Sequence, residues 1–222
     1  MKLPISQRLL ACCDYVSPGA VVADVGCDHG YLSIHLLETG LARQVYASDI
    51  RPGPLDSAVK NANKYRVSQS ISFYLSDGVQ ALPRDFDTLV CAGMGADVMI
   101  SILEKAPWLR DERYRLILQC QSKTPMLRRY LSQTGWTIRR EQVLRDGRFL
   151  YTVLEALWGP GTPLTPGQCH VSPALLSGKG PLLPEYITWV REHLGLSVNR
   201  KSHPDPWETE AYKELCALEE GL

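Results

Sequence analysis

Residues 21 to 32 read Val21-Val22-Ala23-Asp24-Val25-Gly26-Cys27-Asp28-His29-Gly30-Tyr31-Leu32, and this stretch decides the fold. An apolar run ends in an acid, a glycine turn follows, and an amphipathic segment begins, which predicts a β-strand, a tight loop and the start of an α-helix. Asp49 closes a second apolar run over residues 45–49. A glycine turn after one strand and an acid at the tip of the next are how an open parallel sheet holds an adenosine-bearing cofactor. The sequence therefore predicts a nucleotide-type cofactor and an enzyme.

The rest of the first 158 residues alternates short apolar runs with amphipathic segments. Strands are predicted over residues 21–25, 44–48, 71–75, 88–92 and 115–120. Helices are predicted over residues 6–15, 31–38, 54–65, 96–105 and 125–133. Asp146-Gly147 lies between two alternating runs, 136–144 and 148–156, and indicates a hairpin. This order predicts an α/β fold: a seven-stranded, mostly parallel sheet with helices on both faces and an antiparallel C-terminal hairpin.

The composition allows one full domain and a small appendage. The chain has 222 residues, of which 45% are hydrophobic. Residues 159–167 are rich in glycine and proline and are expected to have no regular structure. We therefore predict a main domain over 1–158, a linker over 159–172 and an extension over 173–222. Two helix candidates in the extension, 184–194 and 207–218, predict a helical hairpin that packs on the main domain, since it is too short to fold alone.

Charge is balanced overall but not locally, with 24 basic and 24 acidic residues in the chain. Between Arg113 and Arg148 there are nine basic and two acidic residues, a net charge of +7. This asymmetry indicates a side that faces a polyanion, although a merely solvated face has the same pattern.

The cysteine content and the hydropathy bear on the compartment. The seven cysteines form no CxxC pair and no zinc spacing, and we find no signal peptide and no apolar run of about 18 residues. We therefore expect a cytoplasmic protein with reduced thiols, no metal and no membrane association.

Three acids at three successive strand ends are the main candidates for holding the cofactor, because they converge on the carboxyl edge of one sheet. They are Asp24, Asp49 and Asp77. Gly26 allows close approach of the backbone, and Asp24 and Asp28 suit a methionine ammonium, whereas an acid there would repel the pyrophosphate of NAD. Asp49 is expected to accept both ribose hydroxyls. Asp77, followed by Gly78, is expected to accept the adenine amino group. Taken singly, these residues are also compatible with an ordinary strand–helix turn, a helix cap and a plain Asp-Gly turn.

A second glycine pair, Gly93-Met94-Gly95, is predicted to form a loop after the fourth strand and to build the floor of an acceptor pocket. Its glycines allow a base to approach closely, and Met94 gives a soft apolar wall; a plain loop is the alternative. Gln119 and Gln121 end the next strand and are candidates for hydrogen bonds to a base edge. His29 and Tyr31 sit beside the cofactor loop, where a lone histidine is more often structural.

These motifs together resemble one family. They are Ser6-x-Arg8-Leu9, Asp24-Val25-Gly26-x-Asp28-His29-Gly30-Tyr31-Leu32, Gly53-Pro54-Leu55-x-x-Ala58-x-x-Asn61, Asp77-Gly78, Ala92-Gly93-Met94-Gly95 and Leu116-Ile117-Leu118-Gln119. They resemble the TrmK family of bacterial tRNA (adenine-N1)-methyltransferases, which modify nucleotide 22 of the D-arm. The resemblance covers residues 2 to about 158, and the extension matches loosely. The chain departs from the family at Cys120, where a proline is common, and at Asp49, where a glutamate is frequent.

The resemblance implies a Rossmann-like class I methyltransferase fold, S-adenosyl-L-methionine as cofactor and tRNA as partner. The sequence does not define the oligomeric state, and a monomer is favoured. Expected cofactor-binding residues are Arg8, Asp24, Gly26, Asp28, His29, Asp49, Ile50, Asp77, Gly78, Ala92, Gly93 and Met94. For catalysis, Asp28 is expected to stabilise the cationic product base, and Tyr31 and Met94 to stack on the acceptor base. Expected phosphate contacts are Lys123, Arg128, Arg129, Arg139, Arg140 and Arg145.

Other functions stay open at this point. A class I methyltransferase could act on another nucleic acid base or on a small amine, although the chain lacks the Asn/Asp-Pro-Pro-Tyr box of many exocyclic-amine enzymes. The chain could also be a non-catalytic module that binds S-adenosylmethionine or RNA. The acids at all three strand ends favour a retained cofactor site, and a nicotinamide enzyme is the most distant alternative.

Overall fold

A computed structural model describes residues 3–200 and 202–221 of the chain. Its strands are β1 (Ala20–Val25), β2 (Ala42–Asp49), β3 (Ile71–Leu75), β4 (Thr88–Gly95), β5 (Arg115–Ser122), β6 (Trp136–Asp146) and β7 (Phe149–Trp158). Its helices are α1 (Gln7–Cys13), α2 (Tyr31–Glu38), α3 (Pro52–Lys64), α4 (Ala96–Lys105), α5 (Thr124–Gln133), α6 (Pro166–His170), α7 (Pro173–Gly178), α8 (Leu183–Arg200) and α9 (Pro206–Glu220).

The seven strands form one sheet in the order β3-β2-β1-β4-β5-β7-β6. The first five strands are parallel, and β7 runs antiparallel to both β5 and β6. The predicted seven-stranded α/β sheet with a C-terminal hairpin is therefore confirmed. Because strand order reverses between β1 and β4, this sheet has a switch point at the carboxyl end of β1, where open α/β folds bind ligands.

Helices cover both faces of the sheet, as the residues of β1 show. All six of its residues are buried. Val21 and Ala23 belong to the apolar cluster that includes α4 and α5, whereas Val22 belongs to the cluster that includes α1, α2 and α3. Alternate side chains of a strand point to opposite faces, so β1 is an interior strand of a three-layer core.

The carboxyl end of β4 differs from the prediction. Residues 93–95 were expected to form a loop, but β4 continues to Gly95 because Met94 pairs with Cys120 and Gly95 pairs with Ser122 of β5. The register shifts on either side of Met94, which marks an irregular pairing rather than a free loop. The backbone of this segment is thereby fixed to the neighbouring strand.

The extension forms the expected helical hairpin and packs on the core. Side chains of α8 and α9, including Tyr186 and Leu215, form a third apolar cluster against Val143 of β6 and Leu150 of β7. The prediction that residues 159–167 lack regular structure was wrong at the C-terminal end of this range, because α6 begins at Pro166. The hydroxyl of Thr165 and the side chain of Gln168 form a capping box there, which stabilises a short helix despite its glycine and proline content. The domain boundaries at 158 and 173 stay a prediction.

All seven cysteines are free thiols, and six of them are buried. In the described part of the chain, no helix is long and apolar enough to cross a bilayer.

Candidate active site

A cavity of about 450 Å³ opens at the carboxyl ends of β1, β2 and β4, at the switch point of the sheet. The predicted residues that line it are Arg8, Asp24, Gly26, Asp28, Asp49, Ile50, Asp77, Gly78, Ala92, Gly93 and Met94. His29 and Tyr31 lie outside this lining. Their rings stack on each other with a centroid distance of 5.7 Å, at the entry to α2.

The turn between β1 and α2 brings the backbone against the floor of the cavity. Gly26 has φ +72°, and a Cβ placed there would lie 2.2 Å from Cε of Met94. The amides of Gly26 and Cys27 both donate to the carbonyl oxygen of Ser48, at 2.8 and 2.9 Å, which ties the turn to β2. Glycine suits this turn, because the left-handed backbone strains other residues and a Cβ would require the end of the Met94 side chain to move.

Asp24 is the buried acid of the site, with 3% of its surface exposed. Ser33 Oγ of α2 donates to Asp24 Oδ2 at 2.6 Å. Burial raises the pKa of Asp24 to about 6, although the hydrogen bonds from Ser33 oppose this shift. A buried carboxylate that is costly to ionise favours a cation beside it, because the cation compensates the lost hydration.

Asp49 ends β2 and shapes the turn that follows β1. Its Oδ2 accepts from the Asp28 amide at 3.3 Å, and its Oδ1 accepts from the Arg51 amide at 2.9 Å. Each carboxylate oxygen retains a free lone pair for a further donor. Asp28 itself has φ +49° and an exposed carboxylate, which lies 3.7 Å from Nε2 of His29.

Asp77 follows β3 and is half exposed at the far side of the cavity. Its Oδ2 lies 2.5 Å from Nζ of Lys105, at the end of α4. The next residue, Gly78, accepts a hydrogen bond from Ser48 Oγ through its carbonyl oxygen at 3.1 Å. The cavity therefore carries four acids, of which Asp24 and Asp49 are buried and Asp28 and Asp77 are exposed.

Gln119 lies at the end of β5 and lines the cavity as expected, but its side chain is hydrogen-bonded to the backbone. It is fully buried, its Oε1 accepts from the Gly93 amide at 3.1 Å, and its Nε2 donates to the Cys120 carbonyl. Both ends of the amide thus hold backbone around the acceptor floor, so it is not free to read a base edge. Gln121, which is exposed, lines the cavity and keeps its side chain available.

Several lining residues were not singled out from the sequence. They are Arg51, Ser76, Val98 and Ile102. Ile50 and Val98 are 64% and 51% exposed, which leaves apolar side chains open at a polar cavity. Such positions suit the faces of a planar ring. Exposure at a strand end or a helix start has no signal in a single sequence.

Arg128 was expected to contact phosphate, and this expectation was wrong. Its guanidinium is fully buried, with Nη2 2.7 Å from Oε1 of Glu141. A charge pattern along the chain does not reveal that Glu141, thirteen residues later, lies directly beside it.

The other predicted phosphate contacts are exposed. Lys123 pairs with Asp97, Arg140 with the buried Glu155 and Arg145 with Glu185. Arg129 lies over the ring of Trp207 at 5.5 Å. Within residues 3–200 and 202–221, Arg139 has no ion-pair partner. The pairs of Lys123 and Arg145 are exposed on both sides and therefore weak, so these two cations remain able to exchange partners. Arg140 is held by two hydrogen bonds to Glu155.

Among the described residues, no group of three or more His, Cys, Asp or Glu side chains is arranged to hold a metal ion.

The fold and the acid-lined cavity at its switch point define a Rossmann-like protein that binds an adenosine-type cofactor. The sequence model of a methyltransferase-domain family matches residues 5–154, and the chain belongs to this family.

Named relatives narrow the class. The tRNA (adenine(22)-N(1))-methyltransferase of Bacillus subtilis is 31% identical over 156 residues, which cover 70% of this chain and 66% of that protein. The crystal structure of the B. subtilis m1A22 tRNA methyltransferase TrmK has a TM-score of 0.81 and 27% identity, covering 99% of this chain and 97% of that one. A Streptococcus pneumoniae protein, for which the same activity has been suggested, was solved in complex with S-adenosyl-L-methionine. Its TM-score is 0.85 at 27% identity, covering 97% of this chain and 99% of that one.

Proposed function

We propose that this chain transfers a methyl group from S-adenosyl-L-methionine to N1 of an adenine in tRNA, at nucleotide 22. The observation that carries the proposal is the cavity in which one glycine turn and four acids converge, in a chain related to enzymes named for this reaction. The sequence alignment spans 66% of the length of the B. subtilis enzyme, and we propose the same activity for this chain.

The residues present fit the cofactor. The buried Asp24 suits the methionine ammonium, and the free lone pairs of Asp49 suit two ribose hydroxyls. Gly26 has no Cβ, which permits close approach of the amino-acid moiety to the backbone of the turn. The same acids oppose the pyrophosphate of a dinucleotide, which disfavours a nicotinamide enzyme. Ile50 and Val98 supply apolar surface for the adenine ring, with Asp77 as acceptor for its amino group.

Catalysis in this site is a matter of positioning. Bound S-adenosylmethionine would supply a methyl group on a sulfonium sulfur: the in-plane lone pair of adenine N1 would form the N–C bond as the S–C bond breaks and the neutral thioether S-adenosylhomocysteine leaves, so no general base is required. The protein holds N1 about 3 Å from the methyl group and in line with the bond that breaks. Gln119 fixes Gly93, and the pairing with β5 fixes Met94, so the acceptor floor is rigid before the base arrives. Asp28, exposed at the mouth, stabilises the positive charge of the methylated base.

The acceptor base has to leave the folded tRNA to reach this cavity. Turning a base out costs a few kcal/mol, which stacking on exposed side chains offsets. Met94 is half-buried and lines the cavity, where it can contact the base. Tyr31 lies outside the cavity lining and can stack only on a base that enters from the α2 side. In this proposal tRNA phosphates are bound by the exposed cations Lys123, Arg129, Arg139, Arg140 and Arg145. We further propose that the protein acts in the cytoplasm as a monomer.

The test is methyl transfer from labelled S-adenosylmethionine to two unmodified tRNA transcripts, one with adenine and one with guanine at nucleotide 22. Label on the adenine transcript alone is the expected result. Label on both keeps a methyltransferase but discards the site. Label on neither, in a sample that binds the cofactor, contradicts the proposal and favours another acceptor or a non-catalytic module.

A further inference from the structure

A second groove, of about 350 Å³, lies beside the candidate active site. It forms because β5 pairs with β7 only as far as Leu118 and Leu154, after which β5 pairs with β4 alone. The two strands diverge there, and α8 of the extension closes the outer side. We call this space the β5–β7 groove; its walls come from the end of β5, the start of α5, β7 and α8.

The wall supplied by α8 carries a row of three neighbouring rings, in which Tyr186 and Trp189 are stacked and Trp189 and His193 are tilted. Trp189 is 43% exposed, although α8 buries its opposite face in the third apolar cluster. Its ring centroid lies 4.4 Å from that of His193 and 6.1 Å from that of Tyr186. His193 Nδ1 lies 2.8 Å from the Trp189 carbonyl oxygen, which fixes the imidazole in this row. A large aromatic face held rigid and open in a groove is a surface on which a planar ring stacks.

The charge of the groove differs from that of the cavity. The groove lining contains no Asp or Glu among the described residues, and Lys123 is its only Lys or Arg. The Lys123 ammonium pairs with Asp97 at 2.8 Å, but both side chains are more than half exposed, so the pair is weak. The cavity, by contrast, is lined by four acids and two arginines, Arg8 and Arg51. A phosphate therefore meets no carboxylate in the groove lining, whereas acids outnumber bases in the cavity lining.

The two spaces adjoin each other. Gln121 lines both of them. On the other side, Arg8 lines the cavity, and its guanidinium lies 5.3 Å from the ring centroid of Tyr151, which lines the groove. An RNA whose base enters the cavity therefore has a neighbouring nucleotide close to the groove.

We infer that the β5–β7 groove binds a nucleotide that neighbours the acceptor base in the RNA substrate, with its base stacked on Trp189 and its phosphate at Lys123. This inference rests on the proposed function. It assigns the extension a direct part in holding the substrate, at a site separate from the cofactor cavity.

The test compares Trp189→Ala, Trp189→Phe and Leu196→Ala. Leu196 is also exposed on α8, at 52%, but does not line the groove, so it is the matched control. Affinity for an unmodified tRNA transcript is measured by fluorescence anisotropy in the presence of S-adenosylhomocysteine, which prevents turnover. Loss of one stacked base weakens binding by about tenfold or more. We expect this loss in Trp189→Ala, near wild-type binding in Trp189→Phe and no change in Leu196→Ala.

A second pair of variants tests charge without removing the tryptophan. His193→Glu places an acid in the groove, and Leu196→Glu places the same acid on the same helix outside it. We expect weaker tRNA binding for His193→Glu only. Thermal melting and S-adenosylmethionine affinity, equal to those of the wild type, show that each variant is folded with an intact cofactor site.

The outcomes separate this inference from the proposed function. If tRNA is methylated with the same affinity in Trp189→Ala and His193→Glu as in the wild type, the groove assignment is overturned and the proposed function stands. If tRNA binds in a Trp189-dependent manner but is never methylated, the groove assignment stands and the proposed function fails. If the wild type binds no tRNA, both are overturned.

Discussion

Arg128 of α5 and Glu141 of β6 form an ion pair in which neither side chain is exposed to solvent. Nη1 of Arg128 donates to the carbonyl oxygens of Cys169 and His170, and Ser172 Oγ donates to Glu141. The pair therefore joins the core of the molecule to the segment that begins the extension. Charged groups withdrawn from water in this way depend on each other and on these hydrogen bonds.

Glu141→Gln is expected to destabilise the protein by about 3–5 kcal/mol, because it leaves the Arg128 charge buried without a counterion. The measurement is the free energy of unfolding in denaturant. Arg139→Ala, an exposed change on the same strand, is the control and is expected to alter stability by no more than about 0.5 kcal/mol. Equal stability of the two variants would contradict the structural role assigned to the pair.

Gly26→Ala is expected to weaken S-adenosylmethionine binding by about tenfold, because alanine at φ +72° strains the turn by about 1–2 kcal/mol and the new methyl group requires the end of the Met94 side chain, which lines the cavity, to move. Gly19→Ala is the matched control: Gly19 has φ +78°, but nothing lies within 4 Å of its Cβ position. Both variants carry the backbone strain of about 1–2 kcal/mol, and only Gly26→Ala carries the clash. Calorimetric titration measures the difference; equal affinity in both variants would exclude steric control by Met94.

The cofactor affinity is expected to depend on pH through Asp24, whose pKa is about 6 in the folded protein without ligand. The unfolded value is near 4, so folding favours the protonated form. The ionised carboxylate is then a cost to stability that is fully present above pH 6 and is relieved as the pH falls towards 4. An ammonium group binds the ionised form, so affinity is expected to be constant near pH 7 and to fall by up to about tenfold per pH unit below pH 6.

Two controls isolate this effect. Ser33→Ala removes the hydrogen bond that favours the ionised form, so the pH at which affinity falls is expected to rise. The thioether 5′-methylthioadenosine lacks the ammonium, and its affinity is expected to stay flat over the same range. A pH dependence shared by both ligands would assign the effect to another group.

Binding of tRNA is expected to weaken as salt is added, because phosphate contacts release counterions. Arg139→Ala is expected to reduce the slope of log affinity against log salt by about 0.7 to 0.9, the value of one phosphate contact. Lys60→Ala, on the exposed surface of α3, is the control for a basic residue outside the 113–148 stretch. An unchanged slope for Arg139→Ala would remove Arg139 from the interface.

The sequence was sufficient for features whose cause is local. The bounds of α2, β3 and α4 match the prediction, because glycine, proline and the period of the apolar residues define them within a few positions. The acids at the strand ends also lie together as expected, since parallel strands bring their carboxyl ends to one edge.

Features set by distant partners were missed. Met94 lies in a strand because its backbone pairs with Cys120, a partner that no local pattern identifies. Arg128 and Gln119 were expected to bind substrate because both are polar, but tertiary packing encloses them. Burial of a polar residue depends on what the rest of the chain places around it, and a single sequence does not contain that information.

Strand β6 lies at the edge of the sheet, where its outer backbone is partly covered by α7 of the extension. β6 is an edge strand of eleven residues and pairs with β7 alone. Helix α7 lies against its backbone, so closely that a Cβ at Gly178 would be 3.1 Å from the Glu141 carbonyl oxygen. Uncovered edges of this length invite strands from other chains. Helix α7 therefore covers part of this edge and opposes pairing of β6 with a strand from a second copy of the protein.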